Sequence, residues 1–144
     1  RSQTDLAEPA RRHDDRVPAK RALTEPHAEA PVRHALEPRH TSWADPAAAD
    51  LLGAYDVAMV VSDLADRYPM FEVATTDFVY VRLHGHTRLY YSRYAAASLD
   101  AWADRCRRWA VEGRDVFVYF DNSAAGKAPH DALKLMARLA DSSG

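Results

Sequence analysis

The chain has 144 residues, 47% hydrophobic and 28% charged, which suits one domain with a real core. A formal net charge of -2 carries no basic signature for nucleic acid, and no acidic tail is present. The single cysteine, Cys106, excludes an internal disulfide and is consistent with a reducing, cytoplasmic compartment. No apolar run approaches the roughly 18 residues that would span a membrane.

The chain opens at Arg1 with a polar N-terminus and no secretory signal pattern. Residues 1–31 are rich in Arg, His, Glu, Ala and Pro, with few large apolar side chains. They predict a weak helix within Asp5–Arg16, its start limited by Pro9, then a loop through Pro31 or a disordered segment. Residues 32–144 read as the main domain, with residues 1–31 either part of it or a separate helix and loop segment. Val32–Glu37 is a short strand that should stop near Pro38, which cannot donate to a ladder. Asp45-Pro46 is a helix start with an N-cap followed by proline at the first helical position, and Gly53 is the expected stop. Val57–Ser62 reads as a buried strand ending at Asp63, and the stretch that follows is broken by Pro69.

Phe78–Gly85 alternates strictly: Val79, Val81 and Leu83 on one face, and Phe78, Tyr80, Arg82 and His84 on the other. The first face suits packing under helices. The second either lines a barrel lumen, cleft or ligand site, or leaves Arg82 and His84 in water. Ser98 should cap a helix whose stripe is Leu99, Trp102, Ala103, Cys106, Trp109 and Ala110, closed by Gly113, with Cys106 buried and inert. Asp115–Phe120 is a further strand. Pro129 opens a last helix with Leu133, Met136, Ala137 and Ala140 as its apolar stripe, widened by Leu135 and Leu139, and the D-S-S-G tail should fray. This order of elements, β-α-β-β-α-β-α, implies an α/β fold with a mostly parallel sheet.

Each strand ends in ionisable or hydrogen-bonding residues: Glu37 with Arg39 and His40, then Asp63, then Arg82 with His84, then Asp121 with Asn122. In parallel α/β folds the carboxyl ends share one edge, and ligands bind there. Glu37 and Asp63 offer a general acid/base pair or, with His40 and His84, metal ligands; the competing reading pairs Glu37 with Arg39 or Arg82. Arg82 suits a bidentate clamp on a carboxylate or phosphate, or a buried bridge to Asp63 or Glu37. His84 is a proton-transfer candidate or a neutral imidazole bonded to backbone. Trp43 and Tyr68 could stack on a sugar or base, or serve as core lids. No Gly-rich phosphate loop, Cys-rich zinc site or G-x-S-x-G elbow is present; no metal ligands are assigned and the cofactor stays open.

The segments E-P-R-H-T-S-W at 37–43, L-Y-Y-S-R-Y at 89–94, Y-V-R-L-H-G at 80–85, and Y-F-D-N at 119–122 with A-P-H-D-A at 128–132 resemble the YecE-like family, a bacterial domain family of unknown function. The resemblance implies a TIM-barrel-like fold with a polar pocket at its C-terminal face, built on Glu37, Arg39, His40, Ser42, Trp43, Arg82, His84, Gly85 and Asn122. Asp121 stands where the family usually has asparagine. The family's opening motifs are missing, so the chain looks like a C-terminal half, a partial TIM-barrel-like (βα) unit.

Three functions compete. The first is a barrel enzyme acting on a small polar or anionic substrate by acid/base or metal-assisted chemistry: Glu37, His84 and Asp63 catalytic, and Arg39, His40, Trp43, Arg82, Asp121 and Asn122 binding. The second is a non-catalytic module for a nucleotide, a nucleic-acid end or a partner protein, with the acidic balance arguing against nucleic acid. The third is a fragment inactive until it pairs as a homodimer or with a missing N-terminal half.

Overall fold

The computed structural model describes residues 2–140. Two compact units make up the chain, Arg1–His34 and Ala35–Gly144. The fraying expected of the D-S-S-G tail lies outside the described residues.

The first unit contains helix α1 (Gln3–Ala10) and a single 3-10 turn at Ala19–Arg21. The helix begins and ends earlier than the expected Asp5–Arg16. Ser2 and Asp5 form a reciprocal capping box that satisfies first-turn donors before Pro9 is reached. Pro9 sits in the last turn, lacks an N–H, and the helix stops one residue later. An isolated antiparallel bridge joins Ser2 to Pro31.

The second unit is α/β. Strand β1 (His34–Leu36) is shorter than the Val32–Glu37 run. Helix α2 (Pro46–Ala54) starts as read, with the Asp45 carboxylate accepting from the Ala47 N–H at 3.0 Å. It runs through Gly53 rather than stopping there. A Cβ at Gly53 would lie 3.3 Å from the Thr75 carbonyl, so that glycine permits a close backbone approach, and Asp56, at φ 54, makes the turn instead. The expected strand at 57–62 divides into β2 (Val57–Met59) and β3 (Val61–Asp63). β2 pairs with β1, the Val60 N–H donates to the Leu36 carbonyl at 2.9 Å, and β3 pairs with the next strand. This one segment therefore serves two sheets.

Strand β4 (Phe78–Leu83) lies parallel between β3 and β5 (Asp115–Phe120), with Ser62 beside Arg82 and Arg82 beside Tyr119 in register. Helix α3 (Ala96–Val111) connects β4 to β5, and helix α4 (Ala128–Ala140) follows β5. Ala95, with no side-chain bond, occupies the α3 N-cap, so Ser98 stands inside the first turn rather than capping it.

Val79, Val81 and Leu83 of β4 pack with Leu99, Trp102, Ala103 and Trp109 of α3 and with Leu135 of α4 in one buried cluster. Cys106 is buried in the same α3 stripe, and burial pushes its thiol up to about 11, which makes it unreactive at neutral pH. The α4 face is different from the one expected. Ala128, Asp131 and Leu135 are buried, whereas Leu133 and Met136 are each 63% exposed. Counting apolar residues alone favoured the wrong side because a buried carboxylate, Asp131, marks the inward face. Among the described residues no helix is long and apolar enough to cross a membrane.

Adjacent residues on α4 provide a test of this packing. Leu135→Ala should lower unfolding free energy by about 2–5 kcal/mol through transfer and cavity terms. Met136→Ala should change it by less than about 0.5 kcal/mol. Chemical denaturation of both variants measures this, and equal losses would contradict the assigned face.

Candidate functional site

The sheet face away from α3 carries a charge cluster centred on Arg82. Its guanidinium reaches Glu37 Oε2 at 2.5 Å and Asp121 Oδ2 at 2.8 Å. Glu37 Oε1 also accepts from the Ser62 hydroxyl at 2.9 Å and from Arg39 at 3.2 Å. The His84 ring lies between the same two carboxylates, Nε2 at 3.4 Å from Glu37 and Nδ1 at 3.6 Å from Asp121, and is 1% exposed. At those distances neither ring nitrogen makes a hydrogen bond.

Burial pushes the Glu37 carboxyl upward, but hydrogen bonds from Arg82 and Ser62, with the charges of Arg82 and Arg39, outweigh it and hold the group below its ordinary value. Burial likewise opposes the Arg82 charge and is overcome by Glu37 and Asp121. For His84, burial and the Arg82 charge win over the two carboxylates, so the imidazole is held neutral.

A second group of residues lines a cleft of about 740 Å³ at the carboxyl end of β3, walled by the 64–70 loop, His86 and the first turns of α3. Asp63 Oδ2 lies 3.2 Å from Nδ1 of His86, whose side chain is 51% exposed. With Nδ1 protonated and donating to Asp63, Nε2 is left as an acceptor. Asp63 Oδ1 accepts from the Ala65 N–H at 3.2 Å, bracing a turn in which Ala65 and Asp66 both adopt left-handed backbone, at φ 51 and 56. Such conformations in non-glycine residues are costly and concentrate where a loop must hold a set shape. Arg67, Tyr68, Met70, Trp102 and Arg105 complete the cleft. Arg105 stacks on Trp102 at 4.8 Å and pairs with Glu72 at 2.9 Å.

Gly85 makes both groups compatible. At φ +113 it turns the chain between His84 and His86, and a Cβ there would come 2.6 Å from the Arg88 carbonyl. Its N–H donates to the Tyr94 hydroxyl at 3.1 Å. Burial, then the Asp63 charge, push that phenol above its ordinary range.

Of the residues singled out in the sequence, Glu37, Arg39, Arg82, His84 and Asp121 come together. Asp63 belongs to the cleft, with His86 as its partner. Asn122 is fully buried and donates to the Ser92 carbonyl and to Asp131, both at 2.9 Å, so it anchors the loop after β5. The same Asp131 oxygen accepts from the Tyr94 N–H at 3.1 Å. His40 caps the 3-10 turn Thr41–Ala44 through the Ser42 N–H at 3.2 Å, and Trp43 packs against the cluster of Leu52, Met59 and Phe71. Among the described residues no group of three His, Cys, Asp or Glu is arranged to hold a metal ion. His86 escaped sequence reading because the alternation stops at Gly85. The H-G-H spacing was its only signal.

An α/β unit with a parallel sheet and polar residues at its carboxyl edge defines the class. A family model described as "Protein of unknown function DUF72" matches residues 8–144, and the chain belongs to this family, of which YecE-like is another name. A solved DUF72 family protein of Thermotoga maritima is similar at a TM-score of 0.71 and 24% identity, over 76% of this chain and 47% of that one. A DUF72 family protein of Enterococcus faecalis gives 0.67 and 18%, over 76% of this chain and 48% of that one. A second structure of the latter gives 0.65 and 20%, over 76% and 49%. The chain therefore spans about half the length of these solved relatives. No curated protein matches it.

Both depressed groups couple stability to pH in the same direction. The unfolded chain protonates His84 below about 6.5 while the folded protein resists, so stability should fall as pH drops through that value. Glu37 adds a further loss below about 4.5, as its folded-state advantage is titrated away. Thermal melts across this range measure it. His84→Gln should flatten the slope between the two values, and an unchanged slope would show that His84 is not the group responsible.

Proposed function

We propose that this DUF72 domain is part of a barrel enzyme that moves a proton on a small anionic substrate seated in the cleft beside α3. The observation that carries this reading is the Asp63–His86 pair, 3.2 Å apart, with a half-exposed imidazole on the rim of a cavity of about 740 Å³. Asp63 fixes the tautomer and orientation of His86, and Nε2 accepts or returns the proton. Arg67 on the same wall suits an anionic group, with Arg105 held by Glu72 beside it, while Tyr68, Met70 and Trp102 suit an apolar body.

Glu37, Arg82, His84 and Asp121 serve in this reading as a charge-balanced floor that keeps the strand ends aligned. Arg82 is already held by two carboxylates, so Arg39, 44% exposed and 5.6 Å over the Tyr68 ring, is the guanidinium better able to reach a ligand. The sequential parallel order β3-β4-β5, with α3 crossing between β4 and β5, supports a sector of a TIM-type barrel, in which carboxyl-end residues do the chemistry. Reaction type and substrate class for the whole protein belong to this proposal, as does a cytoplasmic setting, which suits the buried free thiol of Cys106.

Turnover of a panel of small phosphate and carboxylate esters tests it. His86→Asn should lose about 10²–10⁴-fold in kcat/KM with an unchanged circular dichroism spectrum. Full activity in that variant would remove His86 from the chemistry, and a panel left untouched by the unsubstituted protein would remove ester hydrolysis.

A further inference from the structure

Tyr94 is a buried ionisable residue that takes no part in the proton chemistry assigned to His86. It stands two residues before α3 and is 3% exposed. Its ring meets Phe120 edge-on, with centroids 5.6 Å apart, and belongs to the apolar cluster under the sheet. Phenylalanine would fill that place as well, so the hydroxyl needs a separate account. It accepts from the Gly85 N–H at 3.1 Å, at the turn that carries the chain from β4 to His86. A hydroxyl that accepts still has its own proton to give. Asp63 takes it: that carboxylate acts on the phenol both by its charge and through a side-chain hydrogen bond. The same carboxylate faces Nδ1 of His86 at 3.2 Å. One hydroxyl therefore meets both the turn before His86 and the carboxylate that pairs with it.

Tyr94 is fixed from the far side as well. Its backbone N–H donates to Asp131 at 3.1 Å, and the Asn122 amide donates to the same carboxylate oxygen and to the Ser92 carbonyl. The Ser92 hydroxyl in turn accepts from the Thr87 and Arg88 N–H groups, each at 3.0 Å. The loop that bears His86 is thus pinned on one side by Tyr94 and on the other by Ser92, and both are held through Asn122. Burial keeps Tyr94 away from any solute in the cleft, so whatever it does there it does through Asp63 and His86.

We propose that Tyr94 is a positioning residue for the Asp63–His86 pair. Its hydroxyl holds the Gly85 turn and the Asp63 carboxylate in one arrangement, which keeps the His86 proton on Nδ1 and leaves Nε2 open to the cleft. Without the hydroxyl, Asp63 keeps its charge but loses its direction, and the Nδ1–H form loses the partner that selects it. The role rests on the proton-transfer reading of His86, yet it is read by an observable that needs no substrate.

Nitrogen-15 NMR of the imidazoles at a pH of about 8, where an ordinary histidine is neutral, tests it. His86 of the unsubstituted protein should be in the Nδ1–H form. Tyr94→Phe keeps the ring, removes the hydroxyl and should at least double the Nε2–H fraction. On any ester the protein turns over, the same variant should lose up to about 100-fold in kcat with KM unchanged. Leu135→Ala weakens the same core without touching the hydroxyl and should leave the tautomer as it was. An unchanged tautomer in Tyr94→Phe, or an equal shift in Leu135→Ala, overturns the role of Tyr94. Should Tyr94→Phe fail to fold, the unsubstituted protein still decides. The Tyr94 phenolic proton should exchange slowly enough to be seen, with a nuclear Overhauser contact to the Gly85 amide, and rapid exchange with water overturns the proposal. A tautomer shift in Tyr94→Phe alongside full turnover in His86→Asn would uphold Tyr94 as the residue that positions the pair and remove only the proton chemistry.

Discussion

One guanidinium holds the carboxyl edge of this sheet together. Arg82 comes from the end of β4, Glu37 from the residue after β1, and Asp121 from the residue after β5, and the first joins the other two at 2.5 and 2.8 Å. Two carboxylates so close, beside a buried imidazole, would repel each other and lose hydration if left alone. With Arg82 between them the Glu37 carboxyl is held below its ordinary value, and His84 remains neutral in a place where protonation would add a third positive group to Arg82 and Arg39. The planar fork of arginine, rather than the point charge of lysine, lets one side chain serve two partners from different strands. Everything built at this edge inherits its geometry from that bridge.

The strand that carries Arg82 separates two kinds of packing. Its aliphatic side lies under α3 and α4 in a continuous apolar cluster. Its other side is aromatic toward one end, where Tyr80 meets Tyr119, and ionic toward the other. The turn at Gly85 then reverses the placement of the next imidazole, so two histidines separated by one residue end in opposite environments. His84 is sealed between carboxylates, and His86 stands at the edge of a cleft with Asp63 behind it. Burial removes the first from contact with any solute, and exposure gives the second access to one. The fully buried Asn122–Asp131 pair performs a comparable service for β5, tying the loop that follows it to α4 and to the backbone of Tyr94.

Much of the fold was legible because periodicity is a local property. The β4 alternation assigned both faces, and the α3 stripe from Leu99 to Trp109 is buried as its spacing implied. The failures have equally local causes. Reading α4 by its leucines and methionine selected the exposed side, since an aspartate can face inward when a backbone N–H and an amide both donate to one of its oxygens. Gly53 looked like a helix stop because closeness to the Thr75 backbone leaves no mark in a linear pattern. The 57–63 segment read as one strand, and its division between two sheets follows from which neighbours lie on either side.

What the sequence determined by itself was the alternation of strands and helices, the inward stripe of α3, and the fact that Arg82 and His84 stand on one side of a strand ending at a glycine. What only the tertiary structure decided was partnership. Arg82 and Glu37 are 45 residues apart, and His86 and Asp63 are 23 apart, so no local pattern links either pair. Which carboxylate meets which base depends on strand order and register, and these are set by the packing of the whole sheet against its helices.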